Sequence, residues 1–324
     1  MTTETIDPGE VRFFSGSSHP HLAADIASYL GVPLDETKIT RFSNDNLCIQ
    51  LGASVRSRNV FILQPLSPPV NDHLMELLMM LDIARAASAK EVHAIIPYFS
   101  FARSDKKDAP RVSITARLVA DLLQTAGATQ VMTMVLHSPQ VHGFFSVPTD
   151  PLSSRPVFRH YFQQRDLSST IVVAPDMGQA KSAARFAKDL SLPVAAGNKE
   201  RISDTKVRIS GIVGQQVQGC RRALIYDDEV ATGGSILEVS RLLIESGVRE
   251  VWVASTHGVF VRGGLERLVD VPQITEIVTT DTVYLPPEKR HPKLHVLSVA
   301  SVFGEAIRRN YLRQSIGDLF VFGE

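Results

Sequence analysis

Short apolar runs alternate with longer segments of helical periodicity from one end of the chain to the other, which is the pattern of a parallel α/β architecture. In the first half, the runs at 12–14, 59–63, 92–96 and 130–135 are β-branched or aromatic and nearly continuous. Continuity rather than alternation predicts strands covered on both faces. Between them, 71–87 sets Leu74, Leu77, Leu78, Leu81, Ile83 and Ala84 on a broad helical face. A second helix is expected over 113–125, with Ser113 as its N-cap and Gly127 just past its end. The second half repeats the grammar, with strands at 171–173, 222–226, 251–254 and 276–279 and helices at 180–190 and 235–245. Pro148, Pro151 and Pro156, together with Ser153 and Ser154, mark the joint between the halves. Two similar α/β lobes are expected, at 10–152 and 153–324, each near ordinary domain size.

Composition removes several functional classes. Basic and acidic side chains number 34 each, so no net field draws the chain to nucleic acid or to an anionic membrane. No apolar stretch approaches the roughly 20 residues that span a bilayer. The opening MTTETIDPGE lacks the basic-then-apolar pattern of a secretion signal. Cys48 and Cys220 are the two cysteines, far apart and without metal-like spacing, which fits a reduced, cytoplasmic protein.

The sharpest chemical signal is the run ALIYDDEVATGGS at 223–235. A hydrophobic strand ends in two carboxylates, passes a small-residue loop and enters a helix. Open α/β sheets bind ligands at such carboxyl ends of strands. Gly233 and Gly234 let a phosphate approach the backbone, where the helix N-terminus offers amide donors and a positive dipole end. Thr232 and Ser235 add hydroxyls. Asp227 and Asp228 would repel a phosphate and suit sugar hydroxyls or a cation instead. A sugar phosphate, with phosphate in the loop and diol on the acids, satisfies both demands. The bland reading is a capped helix after a buried strand, with solvated acids.

This run resembles the phosphoribosyl pyrophosphate-binding loop shared by type I phosphoribosyltransferases and ribose-phosphate pyrophosphokinases. Further segments, in order along the chain, are similar to the pyrophosphokinases. They include Phe14-Ser15-Gly16-Ser17-Ser18-His19, Arg41-Phe42-Ser43-Asn44, the run from Val70 to Leu78, Ile96-Pro97-Tyr98 through Lys107, and Leu136-His137-Ser138-Pro139-Gln140. Pro175-Asp176, Lys199-Glu200-Arg201 and Thr256-His257-Gly258-Val259-Phe260 continue the match. The resemblance implies two phosphoribosyltransferase-like lobes, each a mainly parallel sheet flanked by helices, and transfer of diphosphate from ATP to ribose 5-phosphate. By position, it implies that Asp227, Asp228, Thr232, Gly233, Gly234 and Ser235 hold ribose 5-phosphate. Phe42 and Asn44 would contact adenine from a neighbouring copy, and Arg103, with Asp105 and Lys107 close by, would contact the nucleotide. His137 and Asp176 would place Mg²⁺. Lys199 and Arg201 would ride a polar loop, 197–206, that closes over the transferring diphosphate. A symmetric homo-oligomer, often a hexamer, is implied as well.

Each residue also has an ordinary reading: Phe42 as core, His137 as a strand-end histidine, Lys106-Lys107-Asp108 as a solvated turn, Lys199-Glu200-Arg201 as a surface run. Five departures from the family pattern stand out. Asn46 replaces a glutamate, Ser104 a glutamine, Val135 the aspartate of Asp-Leu-His, and Gln179 a glycine of Pro-Asp-Ala-Gly-Gly. Ala231 stands where many members carry an acid. A phosphoribosyltransferase, or a non-catalytic regulatory paralogue, is the alternative.

Overall fold

The computed structural model describes residues 5–201, 207–214 and 217–320. The chain divides into two compact units, the first running through Ser154 and the second from Arg155 to Asp281 plus Leu285–Leu297.

In the first unit, β1 (Val11–Ser15), α1 (Pro20–Leu30), β2 (Leu34–Asp35), β3 (Thr37–Arg41), β4 (Leu47–Leu51), β5 (Asn59–Leu63), α2 (Val70–Ala86), β6 (Glu91–Ile96), α3 (Thr115–Ala126), β7 (Gln130–Met134) and β8 (Thr149–Leu152) follow in order. Six strands form a parallel sheet in the order β2-β1-β5-β6-β7-β8, while β3 and β4 stand apart as an antiparallel hairpin. Phe14, Ile62, Val92, Ala94 and Ile96 from the sheet pack with Leu77, Leu81, Val119 and Leu123 from α2 and α3. Both faces of the central strands are buried, which is why their sequences read as unbroken apolar runs.

Two local expectations fail here. Ser113 does not cap α3; the Oγ of Ser104 accepts from the Thr115 amide at 3.3 Å and donates to the Ser113 carbonyl at 3.2 Å. A cap reached across ten residues of chain is invisible to local pattern. The strand expected over 130–135 stops at Met134, because Val135 turns to φ 44. For a β-branched residue that is an outlier conformation.

The second unit holds α4 (Arg155–Phe162), β9 (Thr170–Ala174), α5 (Ala180–Asp189), β10 (Val194–Arg201), β11 (Val207–Gly214), β12 (Arg222–Val230), α6 (Gly234–Glu245), β13 (Glu250–Gly258), α7 (Gly264–Val269), β14 (Ile274–Thr280) and β15 (Leu294–Leu297). Its seven strands run β11-β10-β9-β12-β13-β14-β15, parallel except for the β10–β11 pair. One face packs Ile225, Val239, Leu243, Val253 and Leu268; the other packs Phe158, Phe162, Phe186, Tyr226 and Trp252.

The last helix, α8 (Ala300–Tyr311), belongs with the first unit, as do Thr282–Tyr284 and the segment from Ser298 onward. The expected division at 153–324 therefore gives way to a chain that returns. Tyr29 of α1 donates to Glu305 of α8 at 3.2 Å, the Ser153 amide donates to the Leu319 carbonyl at 2.8 Å, and Leu152 bridges Phe320. Local periodicity says nothing of which sheet such a helix covers. Among the described residues, no helix is long and apolar enough to cross a membrane.

Candidate active site

β12 continues well past its expected end at 226, so Asp227 and Asp228 lie inside the strand. On one side β12 stays paired with β13 as far as Val230 and Gly258. On the other, pairing with β9 ends at Ile225 and Val173, and the chain leaves β9 at Ala174. The acids therefore occupy a strand edge whose neighbour has turned away. The turn that replaces that neighbour carries Asp176, whose Oδ1 accepts from the amides of Gly178 (2.9 Å) and Gln179 (3.3 Å). Gln179 Nε2 donates to Asp228 Oδ1 at 2.9 Å, and the Asp228 amide donates to Asp227 Oδ1 at 2.9 Å. Burial, then the charge of Asp228 and more weakly that of Asp176, pushes the Asp227 carboxyl well above the ordinary carboxylate range. Such a site has a standing demand for a proton, a cation or hydroxyl donors.

Past Val230 the chain turns through Ala231, Thr232 and Gly233 into α6. Gly233 is the N-cap in the left-handed region, φ 75, and no side chain caps the helix. Thr232, Gly234 and Ser235 are exposed at this entry. Uncapped amides at the positive end of a twelve-residue helix suit an anion.

Lys199 and Arg201 fall on β10 by their backbone, opposite Ile209 and Val207 of β11, with a register irregularity between Asn198 and Lys199. The loop expected over 197–206 is thus strand through Arg201. Antiparallel pairing with β11 supplies ladder hydrogen bonds that polar composition does not announce. The side chains of Lys199 and Arg201, and residues 202–206, lie outside the described residues.

In the first unit, Phe42 and Asn44 sit in the β3–β4 turn, with the Phe42 amide on the Asn46 carbonyl (2.8 Å) and the Asp45 amide on the Phe42 carbonyl (2.9 Å). Phe42 is 51% exposed, so the core reading fails for it. Asn44 Oδ1 accepts from the Asn46 amide at 3.3 Å, and Arg41 bridges Asp45 (2.6 Å) and Asp72 (3.0 Å). Arg103 ends the short 3-10 turn Ser100–Arg103; it and Lys107 are exposed, and Asp105 is half-buried. His137 is exposed just past the carboxyl end of β7, two residues after the strained Val135. His137 lies in the first unit and Asp176 in the second. Among the described residues, no group of three or more His, Cys, Asp or Glu is arranged to hold a metal.

Residues 11–127 match the model of the N-terminal domain of ribose phosphate pyrophosphokinase, and 200–321 match that of the phosphoribosyl synthetase-associated domain. The ribose-phosphate pyrophosphokinase of Deinococcus radiodurans is 45% identical over 312 residues, covering 95% of this chain and 97% of that protein. The chain belongs to the ribose-phosphate pyrophosphokinase family. The corresponding enzyme of Wolinella succinogenes is 42% identical over 310 residues, 96% of this chain and 99% of its own. The crystal structure of phosphoribosylpyrophosphate synthetase from Mycobacterium smegmatis superposes with a TM-score of 0.88 at 35% identity, covering 94% of this chain and 99% of that one.

Within a ribose-phosphate pyrophosphokinase, three departures acquire physical content. Gln179 lends its amide to Asp228. Ser104 caps α3. Val135 carries a backbone conformation that an aspartate would adopt with less strain. What sequence reading missed is the partner in each case, because every one of these contacts joins elements distant in the chain or depends on φ.

Proposed function

We propose that this pyrophosphokinase moves the β,γ-diphosphate of ATP onto C1 of ribose 5-phosphate, releasing AMP. The observation that carries this reading is the β12–α6 junction: two crowded acids followed by an uncapped, glycine-entered helix. The 5-phosphate takes the amides and hydroxyls at Thr232, Gly233, Gly234 and Ser235. Asp227 and Asp228 accept from the ribose diol, which supplies the donors their crowding demands. The C1 hydroxyl oxygen then bonds to the β-phosphorus of ATP, the bond from that phosphorus to the α-phosphate oxygen breaks, and the hydroxyl proton leaves. Positioning and charge neutralisation supply most of the rate in such transfers. Lys199 and Arg201 are the cations assigned to the transferring diphosphate.

Exposed Phe42 offers a face on which adenine can stack, and Asn44, Arg103, Asp105 and Lys107 complete the nucleotide set; Phe42 and Asn44 serve a neighbouring copy in a homo-oligomer. Mg²⁺ fits the chemistry: it needs only one or two protein ligands beside substrate phosphates, for which His137 and Asp176 are assigned. Like-charge crowding around Asp227 is also what a nearby divalent cation relieves. When bound, Mg²⁺ neutralises phosphate charge. Cys48 and Cys220 are thiols rather than disulfide partners, in keeping with work in the reducing cytoplasm.

Incubation of the protein with ATP, Mg²⁺ and ribose 5-phosphate should release AMP in step with phosphoribosyl pyrophosphate. Absence of AMP from the assembled protein would point to a non-catalytic paralogue. AMP formed from adenine and phosphoribosyl pyrophosphate, with diphosphate released and no ATP consumed, would point to a phosphoribosyltransferase.

A further inference from the structure

We propose that Arg267 is a positioning residue for the sugar-phosphate loop, acting through the Thr232 carbonyl; this rests on the reading of 232–235 as the 5-phosphate site. A backbone loop that cradles an anion must point its amides inward and its carbonyls away, and a carbonyl that swings toward the phosphate destroys the site. Arg267 Nη2 donates to the Thr232 carbonyl, and its Nε donates to the Gly263 carbonyl at 3.3 Å. One guanidinium thus ties the binding loop to the start of α7, holding the Thr232 oxygen outward and bringing positive charge to the loop. A planar fork can do both at once, whereas an ammonium reaches one carbonyl at a time.

The surroundings point the same way. A Cβ on Gly264 would stand 2.6 Å from the Ala231 carbonyl oxygen and 3.2 Å from the Thr232 carbonyl carbon, so only glycine lets α7 approach the loop this closely. A Cβ on Gly233 would meet the Gly264 carbonyl and Leu268 Cγ, each at 3.2 Å. The Val261 amide donates to the Ala231 carbonyl at 2.9 Å, and the amides of Val259 and Phe260 share the Val230 carbonyl at 3.0 Å. This buttress is anchored in turn. Lys289 Nζ donates to the Phe260 carbonyl at 2.8 Å, and Lys293 Nζ to the Val269 and Val271 carbonyls at 2.6 and 3.2 Å. The Val230, Ala231 and Thr232 carbonyls thus each accept from a donor of this buttress, the first two from backbone amides and the third from the Arg267 side chain.

The test compares Arg267→Gln and Arg267→Lys with the parent, using AMP release for kinetics and ribose 5-phosphate alone for thermal-shift binding. Arg267→Gln should raise KM for ribose 5-phosphate about tenfold, the lower range for a hydrogen bond from a charged donor in an exposed setting. KM for ATP should stay within about twofold, because no nucleotide residue is touched, and the stabilisation by ribose 5-phosphate should shrink. Arg267→Lys should fall between the two. Parental KM for both substrates in Arg267→Gln, or an equal rise in both, overturns the proposal. If Arg267→Gln does not fold, Arg267→Lys decides it by the same split. A parent that neither releases AMP nor is stabilised by ribose 5-phosphate removes the underlying reading instead.

Discussion

The two units carry topologically equivalent strand ends with opposite characters. In each, a pair of parallel neighbours, β1 with β5 and β9 with β12, stops pairing where the outer strand turns away, and β12 alone runs on past that point. In the first unit the residue after β5 is Gln64, fully buried, and it folds back on the turn after β1. Its Oε1 accepts from the Ser18 amide (3.1 Å) and hydroxyl (2.7 Å), and its Nε2 donates to Glu76 at 2.7 Å. Glu76 also accepts from the Ser17 amide at 3.0 Å and from the Ser17 hydroxyl. A Cβ on Gly16 would lie 2.4 Å from the Gln64 side chain, so the space is filled. In the second unit the same place holds Asp176, Asp227 and Asp228, with Asp227 driven upward by its neighbours. One end is knit together by neutral and charged hydrogen bonds; the other crowds three carboxylates. Equal topology thus provides similar scaffolds, and the side chains that end the strands give each its character.

A second contrast lies at the adjoining edge. Where the first unit has the two-residue β2, the second has the eight-residue β10 with its antiparallel partner β11, and Lys199 and Arg201 lie along that ribbon. Removing either cation should have the largest effect of all, a loss in kcat on the order of 10²–10³ with modest change in KM, as for other preorganised charge contacts. Steady-state kinetics of Lys199→Ala and Arg201→Ala check this, and near-parental kcat in both would end the catalytic role assigned to the ribbon.

Breaking the closed end should cost stability rather than binding. Glu76→Ala takes one acceptor from the buried Gln64 amide and removes the hydrogen bonds from the Ser17 amide and hydroxyl, a combined loss of about 3 kcal/mol. In a unit of this size that lowers Tm by on the order of 6–12 °C. KM for ribose 5-phosphate should not move. Calorimetry beside kinetics tests the pair of statements, and a KM that rises with the loss of stability would blur the distinction between the two ends.

The open end should behave inversely. A carboxyl whose folded pKa is raised contributes stability that is fully present below its unfolded value, about 4, and lost as pH rises through the folded value. Asp227→Asn keeps the uncharged form at every pH. It should therefore raise Tm at neutral and alkaline pH, with the gain fading below about pH 4, while ribose 5-phosphate binding weakens. Melts across the pH range would expose a wrong sign directly.

The smallest effect concerns Val135. Its φ of 44 stores strain on the order of 1 kcal/mol, which Asn tolerates better. Val135→Asn keeps the amide that donates to the Leu152 carbonyl at 3.1 Å. It should raise Tm by about 2–4 °C. An unchanged melt would show that the surrounding loop already absorbs the turn.

Much of this molecule was legible in the order of its residues. Continuous apolar runs located the central strands of both sheets, because strands buried on both faces have no polar side to show. The acid pair, the glycines and the hydroxyls of 227–235 marked the candidate sugar site, because a loop that receives phosphate must shed side chains where the backbone approaches. Tertiary structure alone decided the rest. It carried α8 back to the first unit, set Ser104 rather than Ser113 on α3, and extended β10 through Arg201 by pairing it with β11. It joined Gln179 to Asp228 and Arg267 to Thr232. Periodicity and spacing report what a segment buries and which backbone angles it tolerates. They do not report partners brought in from distant parts of the chain, and here those partners determine whether a strand end is closed or open.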